Sequence, residues 1–380
     1  MKKIIAVLLC FVMVAALAAC GGDDSQARYD YDLSEYITVG DYKNLDVTIY
    51  TKTRDQEKQE VIDYYTSYYA TPDKTATAAD GDTVYISYTC TVDGAKVDKE
   101  SATNTYVVLG SETLLPEVEA AIVGLLSGKT VTVEATFPAD YESEAEVAGK
   151  TATFEVTLTH VMIDAEYNDA FVAAYFAGYG VSTMAEFDEY MNRNFLLNAV
   201  LDAIQGNPTY KVIAYPEREL NEAVDEQFTY EDSAYKNNYG FGLADILEAS
   251  GKTVDEYKAE LKKDETILAT VETEMLYYHI IRSENFAASD EEASELRSQL
   301  ISEGVEYYRQ LYVKNGITGS TLDSYLVNVL AALQETYTVE GCKQNILYDL
   351  VEELIVNGQN VSYVDEFAPE ADTEEKTETN

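Results

Sequence analysis

The sequence predicts an α+β protein in which a small antiparallel sheet with one helix is followed by an all-helical body. Two patterns carry this. Between Gly81 and Val161, apolar and polar residues alternate over four short runs, the period of strands that bury one face. From Ile163 onward the apolar spacing becomes three and four residues and stays there, the period of amphipathic helices. Strands segregated from helices in this way point to α+β rather than to alternating βα units.

The chain opens with a processing signal. Lys2 and Lys3 precede an unbroken apolar run from Ile4 to Ala19, short for a membrane-spanning helix and ending in small residues. The ending Leu17-Ala18-Ala19-Cys20 resembles a bacterial lipobox. That resemblance implies a signal peptide over 1–19, lipidation of Cys20, and a lipid anchor to the outer face of the bacterial cell membrane. Residues 20–33, rich in glycine and aspartate at their start, read as a flexible tether.

Residues 34–80 read as a strand and helix connector packing on the helical body. Val47 and Ile49, flanked by Thr48 and Tyr50, favour a strand, while Val61, Tyr65, Tyr68 and Tyr69 lie at helical spacing. Asp80-Gly81-Asp82 supplies a turn.

The next block, 81–161, contains strands at 83–91, 105–109, 130–137 and 151–161. Val84, Ile86, Tyr88 and Cys90 share a face of the first; Val131, Val133, Ala135 and Phe137 of the third; Ala152, Phe154, Val156 and Leu158 of the last. Pro116 suits the first turn of a helix carrying Val118, Ile122 and Leu125 on one stripe, with Gly128 as its stop.

In the helical body, 162–367, Thr183 with Glu186, Thr253 with Glu256 and Ser289 with Glu292 form capping boxes. Asn207-Pro208 breaks one helix and Pro216 begins another, with further helices over 302–313, 322–337 and 339–356. The acidic stretch 368–380 reads as a disordered tail.

The totals exclude several functions. A hydrophobic fraction of 46% in 380 residues supports two or three packed domains, and 26 cationic against 69 acidic residues leave a formal charge of −43. Such a surface repels phosphate backbones, so nucleic acid is not an expected partner. It serves solubility and would attract basic clients at long range. Beyond Cys10 and Cys20 the cysteines are Cys90 and Cys342, and the two histidines, His160 and His279, stand in no motif. No metal-ligand spacing or cysteine–histidine nucleophile is evident, and no cofactor is implied.

Residue by residue, GDTVYISYTCTVDG, YVVLGSETLLPEVEAAIVG, FPADY and TATFEVTLTHV resemble the FKBP-type prolyl isomerase domain, most closely the version inside the bacterial chaperone trigger factor. YPERELNEAVDEQF and GLADILEASGKTVDEYKAELKK resemble the helices of the trigger factor C-terminal domain. The resemblance implies an FKBP-like sheet before a client-holding helical domain. It implies catalytic roles for Tyr88, Asp98, Leu115 (through its N–H), Tyr141 and Phe154, with Val97, Leu114 and Val118 contacting substrate. The family usually has an aromatic at Val97, a phenylalanine at Thr105 (Tyr106 is one residue away), a tryptophan or phenylalanine at Val118, and a glycine at Glu117. These departures thin the pocket.

The expected activity is that of an extracytoplasmic, membrane-anchored foldase that holds unfolded or proline-containing secreted polypeptides and isomerises prolyl bonds. Secretion makes the ribosome an unneeded partner. Two other readings compete: a catalytically inactive holdase or interaction lipoprotein, and a solute-binding lipoprotein, which calls for two comparable α/β lobes. The 32 tyrosines, among them Tyr64, Tyr65, Tyr68, Tyr69, Tyr277 and Tyr278, suit either a core with a wet edge or the lining of a client cradle.

Overall fold

The structure, a computed structural model, describes residues 28–141 and 144–369. The signal peptide, Cys20, the tether before Arg28 and the tail from 370 lie outside the described residues. The described chain forms two compact units, one of residues 58–187 and one joining the residues before Lys58 to those from Asp188 onward.

The first unit is built on a six-stranded sheet whose long strand Thr151–Ile163 pairs antiparallel with Thr83–Val92, Thr130–Thr136 and Thr71–Asp73. Thr83–Val92 also pairs with Ala102–Val108 and Ala95–Lys96. Alternation does what the pattern requires: Val84, Ile86, Cys90, Ala152, Phe154, Val156 and Leu158 are all buried. Fully burying each of the larger of these contributes about 1.5–3 kcal/mol. The helix Pro116–Ile122 lays Val118 and Ile122 into the same core.

That helix stops earlier than expected. It ends at Ile122, because Gly124 turns to φ +84° and donates its N–H to the Ala78 carbonyl at 2.7 Å, while Ala78 donates to Leu125 at 2.9 Å. Leu125 therefore leaves the helix and joins the core from a loop.

The connector also differs from expectation. Residues 58–80 pack with the sheet unit: Thr71–Asp73 pairs with Val161–Ile163, and Ala76 and Ala78 join its core. The Ala76 carbonyl accepts from Ser127 N–H there, and Ala78 exchanges backbone bonds with Gly124 and Leu125, as buried backbone must. The same unit contains the helix Asp169–Tyr175, where Tyr175 stacks on Tyr69 with ring centroids 3.6 Å apart and Phe176 meets Tyr65 edge-on at 4.8 Å.

The second unit is mainly helical, with Met184–Gln205 (from Asp188), Glu217–Tyr239, Leu243–Ala249, Val254–Leu261, Glu265–Glu284, Asp290–Lys314, Gly319–Thr336 and Val339–Asn357. All three capping boxes form; Thr253 and Glu256, for instance, exchange side-chain bonds to each other's backbone N–H. Leu197, Val200, Ile204, Met275, Leu276, Ile280, Val351 and Ile355 are its core.

Two short strand pairs in this unit escape the helical reading. Ile37–Thr38 pairs antiparallel with Lys211–Val212, and Asp46–Tyr50 pairs parallel with Asn360–Val364. The tether reading also fails over its last residues. Tyr29 is fully buried and Leu33 nearly so, and the Arg28 guanidinium lies 2.9 Å from the Glu274 carboxylate. A buried ring and a buried ion pair fix the chain from residue 28.

Cys90 and Cys342 are buried free thiols, one in each unit. The six-stranded sheet belongs to the first unit and the second holds only two-stranded pairs, so the two comparable α/β lobes of a solute-binding protein are not formed by the described residues. Among the described residues no helix is long and apolar enough to cross a membrane, and no group of three or more metal-ligating side chains forms.

Candidate functional site

The expected isomerase residues converge because they sit on adjoining strands. Tyr88 is in register with Val156 and Cys90 with Phe154, so the Tyr88 and Phe154 rings come within 6.2 Å, centroid to centroid. Phe137 extends the row, 6.0 Å from Phe154 and 4.9 Å from Tyr141. Val97, Leu114 and Leu115 pack half-buried against the same core. Val118 at 0% and Phe154 at 3% exposure lie beneath this surface, so the side chains a ligand can meet are Tyr88, Tyr141, Val97, Leu114 and Leu115.

Leu115 caps the helix Pro116–Ile122, and the loop before it is pinned from inside. The buried Glu119 carboxylate accepts from the N–H groups of Gly110 at 2.8 Å, Glu112 at 3.2 Å and Leu114 at 2.8 Å. Gly110, at φ +87°, and Glu112, at φ +60°, give the loop the curvature that aims these donors at one side chain.

Asp98 does not join the cluster. Its carboxylate is 85% exposed and ion-paired with Lys96 at 2.7 Å. The acidic residue at the aromatic row is Glu100, two positions on, which accepts from the Tyr141 hydroxyl at 2.9 Å. Asp98–Glu100 form a single 3-10 turn, so the two carboxylates leave it in different directions. An acidic pair two residues apart was the available signal, but only the turn decides which member faces inward.

Burial, helped by the Glu100 charge, raises the pKa of the Tyr88 hydroxyl and pushes the Cys90 thiol up to about 11. Near neutral pH Tyr88 is thus a neutral hydroxyl able to donate a hydrogen bond, and Cys90 is an inert thiol. Tyr106 does not replace the family phenylalanine at Thr105. It pairs with Tyr85, which alternates with the core residues Val84 and Ile86, and it is 65% exposed on the other face.

The helical unit offers a second surface. Between Asp290–Lys314 and Gly319–Thr336 lies a groove of about 460 Å³ lined by Tyr308, Tyr312, Tyr325, Val329, Ala332 and Leu333. Its tyrosines form a run, Tyr308 to Tyr312 at 6.1 Å and Tyr312 to Tyr325 at 5.3 Å. Gly304 lets the two helices approach, since a Cβ there would stand 2.8 Å from Leu333 Cδ1. Tyr325, Val327 and Leu330 are exposed nearby. Tyr277 and Tyr348, by contrast, are buried core.

Comparison with known proteins agrees with both parts. The family model described as FKBP-type peptidyl-prolyl cis-trans isomerase matches residues 74–159. The trigger factor of Carboxydothermus hydrogenoformans is 28% identical over 331 residues, covering 82% of this chain and 74% of its own length. That of Lacticaseibacillus casei is 37% identical over 132 residues, covering 33% of this chain and 29% of its own. A solved structure described as "Promiscuous Substrate Recognition in Folding and Assembly Activities of the Trigger Factor Chaperone" covers 84% of this chain and 72% of that one at 17% identity; its TM-score of 0.26 is too low to speak for the arrangement. With a segment matching the FKBP-type isomerase model joined to a helical unit, the chain is similar to trigger factors along most of its length.

Proposed function

We propose that the protein is a foldase that holds unfolded polypeptide on its helical unit and isomerises prolyl bonds at its FKBP-type domain. The observation that carries the reading is the pairing, in one chain, of an aromatic cluster with two half-buried tyrosines and a separate exposed groove of tyrosine and aliphatic side chains. The FKBP-type model match over residues 74–159 and the similarity to trigger factors support the reading.

The chemistry asks little of the protein. The barrier to rotation, about 18–20 kcal/mol, comes from amide resonance, which is lost when the bond twists. A surface that sheds water from the amide and fits its twisted form lowers that barrier without nucleophile or metal. Tyr88, Val97, Leu114 and Leu115 supply the apolar contact, and the Tyr88 and Tyr141 hydroxyls supply polar groups beside it. In the groove, tyrosine rings offer apolar area while their hydroxyls tolerate water, which suits transient contact with varied chains.

The proposed setting is outside the cytoplasmic membrane, with the chain lipid-anchored through Cys20 and its clients newly secreted polypeptides. The sequence Leu17-Ala18-Ala19-Cys20 after an apolar run supports it. Mass spectrometry of the mature amino terminus tests it: a diacylglyceryl cysteine at position 20 is expected, and an unprocessed Met1 contradicts it.

A second reading, a holdase without isomerase activity, is favoured by one observation. Val118 and Phe154 lie wholly within the core, so the aromatic floor seen in the family is not offered to a ligand here. Refolding of a proline-limited client, measured beside suppression of its aggregation, separates the two. The foldase accelerates the slow phase and suppresses aggregation; a holdase does only the latter.

A further inference from the structure

We propose that Glu100 makes the FKBP-type pocket selective for prolines flanked by a basic residue, a proposal that rests on reading this pocket as the proline-binding site. The Glu100 carboxylate is half-buried and accepts from the Tyr141 hydroxyl at 2.9 Å. It thus bonds Tyr141 at one end of the aromatic row, and its charge also acts on Tyr88 at the other.

The nearest cations in sequence have their closest ion pairs elsewhere, although Lys99 also feels the Glu100 charge. Lys96 pairs with Asp98 at 2.7 Å, and Lys99 pairs most strongly with Glu144, at 2.6 Å. A neutral phenol donating one hydrogen bond leaves the carboxylate charge in place. At a partly desolvated position that charge attracts a cation and repels an anion more strongly than it would in open water.

The aliphatic and aromatic side chains of the pocket suit the proline ring, which carries no charge. Selection by sign therefore falls on the neighbouring residues. A lysine or arginine beside the proline could lay its methylenes along Tyr88 or Tyr141 and bring its cation to Glu100.

The test compares kcat/KM of the full chain on proline peptides that carry Lys, Leu or Glu immediately before or after the proline, at low and high salt. At low salt the better Lys peptide should exceed its Glu counterpart by about fivefold or more, the scale set by a partly exposed charge pair. High salt should shrink the ratio. Glu100→Gln keeps an acceptor for Tyr141 but removes the charge, and the ratio should fall toward one; Asp98→Asn should keep it. A wild-type protein indifferent between Lys and Glu, or a ratio unchanged in Glu100→Gln, overturns the proposal.

If no peptide is isomerised above background, the isomerase reading falls alone, and affinities of the same peptides decide this one. Tighter binding of the Lys peptide, levelled by Glu100→Gln, supports selection by Glu100. Equal affinities, or no binding of any peptide, overturn it.

Discussion

The Glu119 carboxylate holds the Leu114 N–H at 2.8 Å, and through it the residue before Leu115, from a position buried inside the sheet unit. One side chain on the central helix thus fixes the loop that leads into that helix. Glu119→Ala leaves three part-buried backbone donors without their acceptor; water can reach the exposed Gly110 and Glu112, so the cost falls chiefly on Leu114 and should be about 1–3 kcal/mol. Hydrogen exchange should show the Gly110, Glu112 and Leu114 amides deprotected; unchanged protection would contradict the pinning.

The groove in the helical unit makes a separate prediction. Leu333→Asp or Tyr312→Asp places a charge among its apolar lining and should weaken suppression of client aggregation several-fold, while leaving prolyl isomerisation of short peptides unchanged. Gly304→Leu should act by another route. Its side chain would meet Leu333, and overpacking of this kind costs about 1–3 kcal/mol. Aggregation assays and thermal unfolding read the two effects apart.

Acid should stabilise the helical unit. Burial, together with Asp349 and against Arg193 and the Tyr277 hydroxyl, raises Glu352 from 4.5 to about 7, and burial raises Glu226 to about 7 as well. A carboxyl group whose pKa is higher folded than unfolded holds its proton more tightly in the folded state. Its stabilising contribution is complete below about 4.5 and is lost as pH rises through 7. Thermal unfolding should therefore occur at lower temperature at pH 8 than at pH 5.5. Glu352→Gln should reduce that difference, by an amount on the order of 2 kcal/mol.

Arg28 should prove structural although it lies within the stretch 20–33 that reads as a tether. Its guanidinium faces Glu274, which also accepts from the Tyr29 and Tyr348 hydroxyls at 3.1 and 3.2 Å. Arg28→Ala leaves a buried carboxylate without its cation, a loss of about 3–5 kcal/mol. Denaturant titration of the variant checks this; stability equal to the parent would restore the tether reading.

What was legible in the sequence followed from strong local signals. Alternation at Val84, Ile86 and Cys90 fixed which strand face is buried, and Ser or Thr three residues before Glu fixed three helix starts. What escaped depended on contacts distant in sequence. Asn360–Val364 becomes a strand only beside Asp46–Tyr50, more than 300 residues away in the register Asn360 to Asp46. Arg28 and Tyr29 look polar and flexible until Glu274 is placed against them. In the site, Tyr88, Phe154 and Tyr141 were readable from their strands and motif, whereas the choice between Asp98 and Glu100 belongs to one 3-10 turn. Nor does composition sort the tyrosines: Tyr348 is buried while Tyr68 and Tyr239 are exposed.

The central claim is that the half-buried tyrosines form a working isomerase surface. Its most direct measure is the rate of cis to trans conversion in a proline peptide, with the full chain, Tyr88→Ala and Tyr141→Ala compared at equal folded concentration. Removing one large contact should lower kcat/KM by about tenfold or more, since about 1.4 kcal/mol corresponds to tenfold in rate. A wild-type rate well above the uncatalysed one, reduced in each variant, is the predicted result. A wild-type rate equal to background, with aggregation still suppressed, would contradict the claim and leave a holdase.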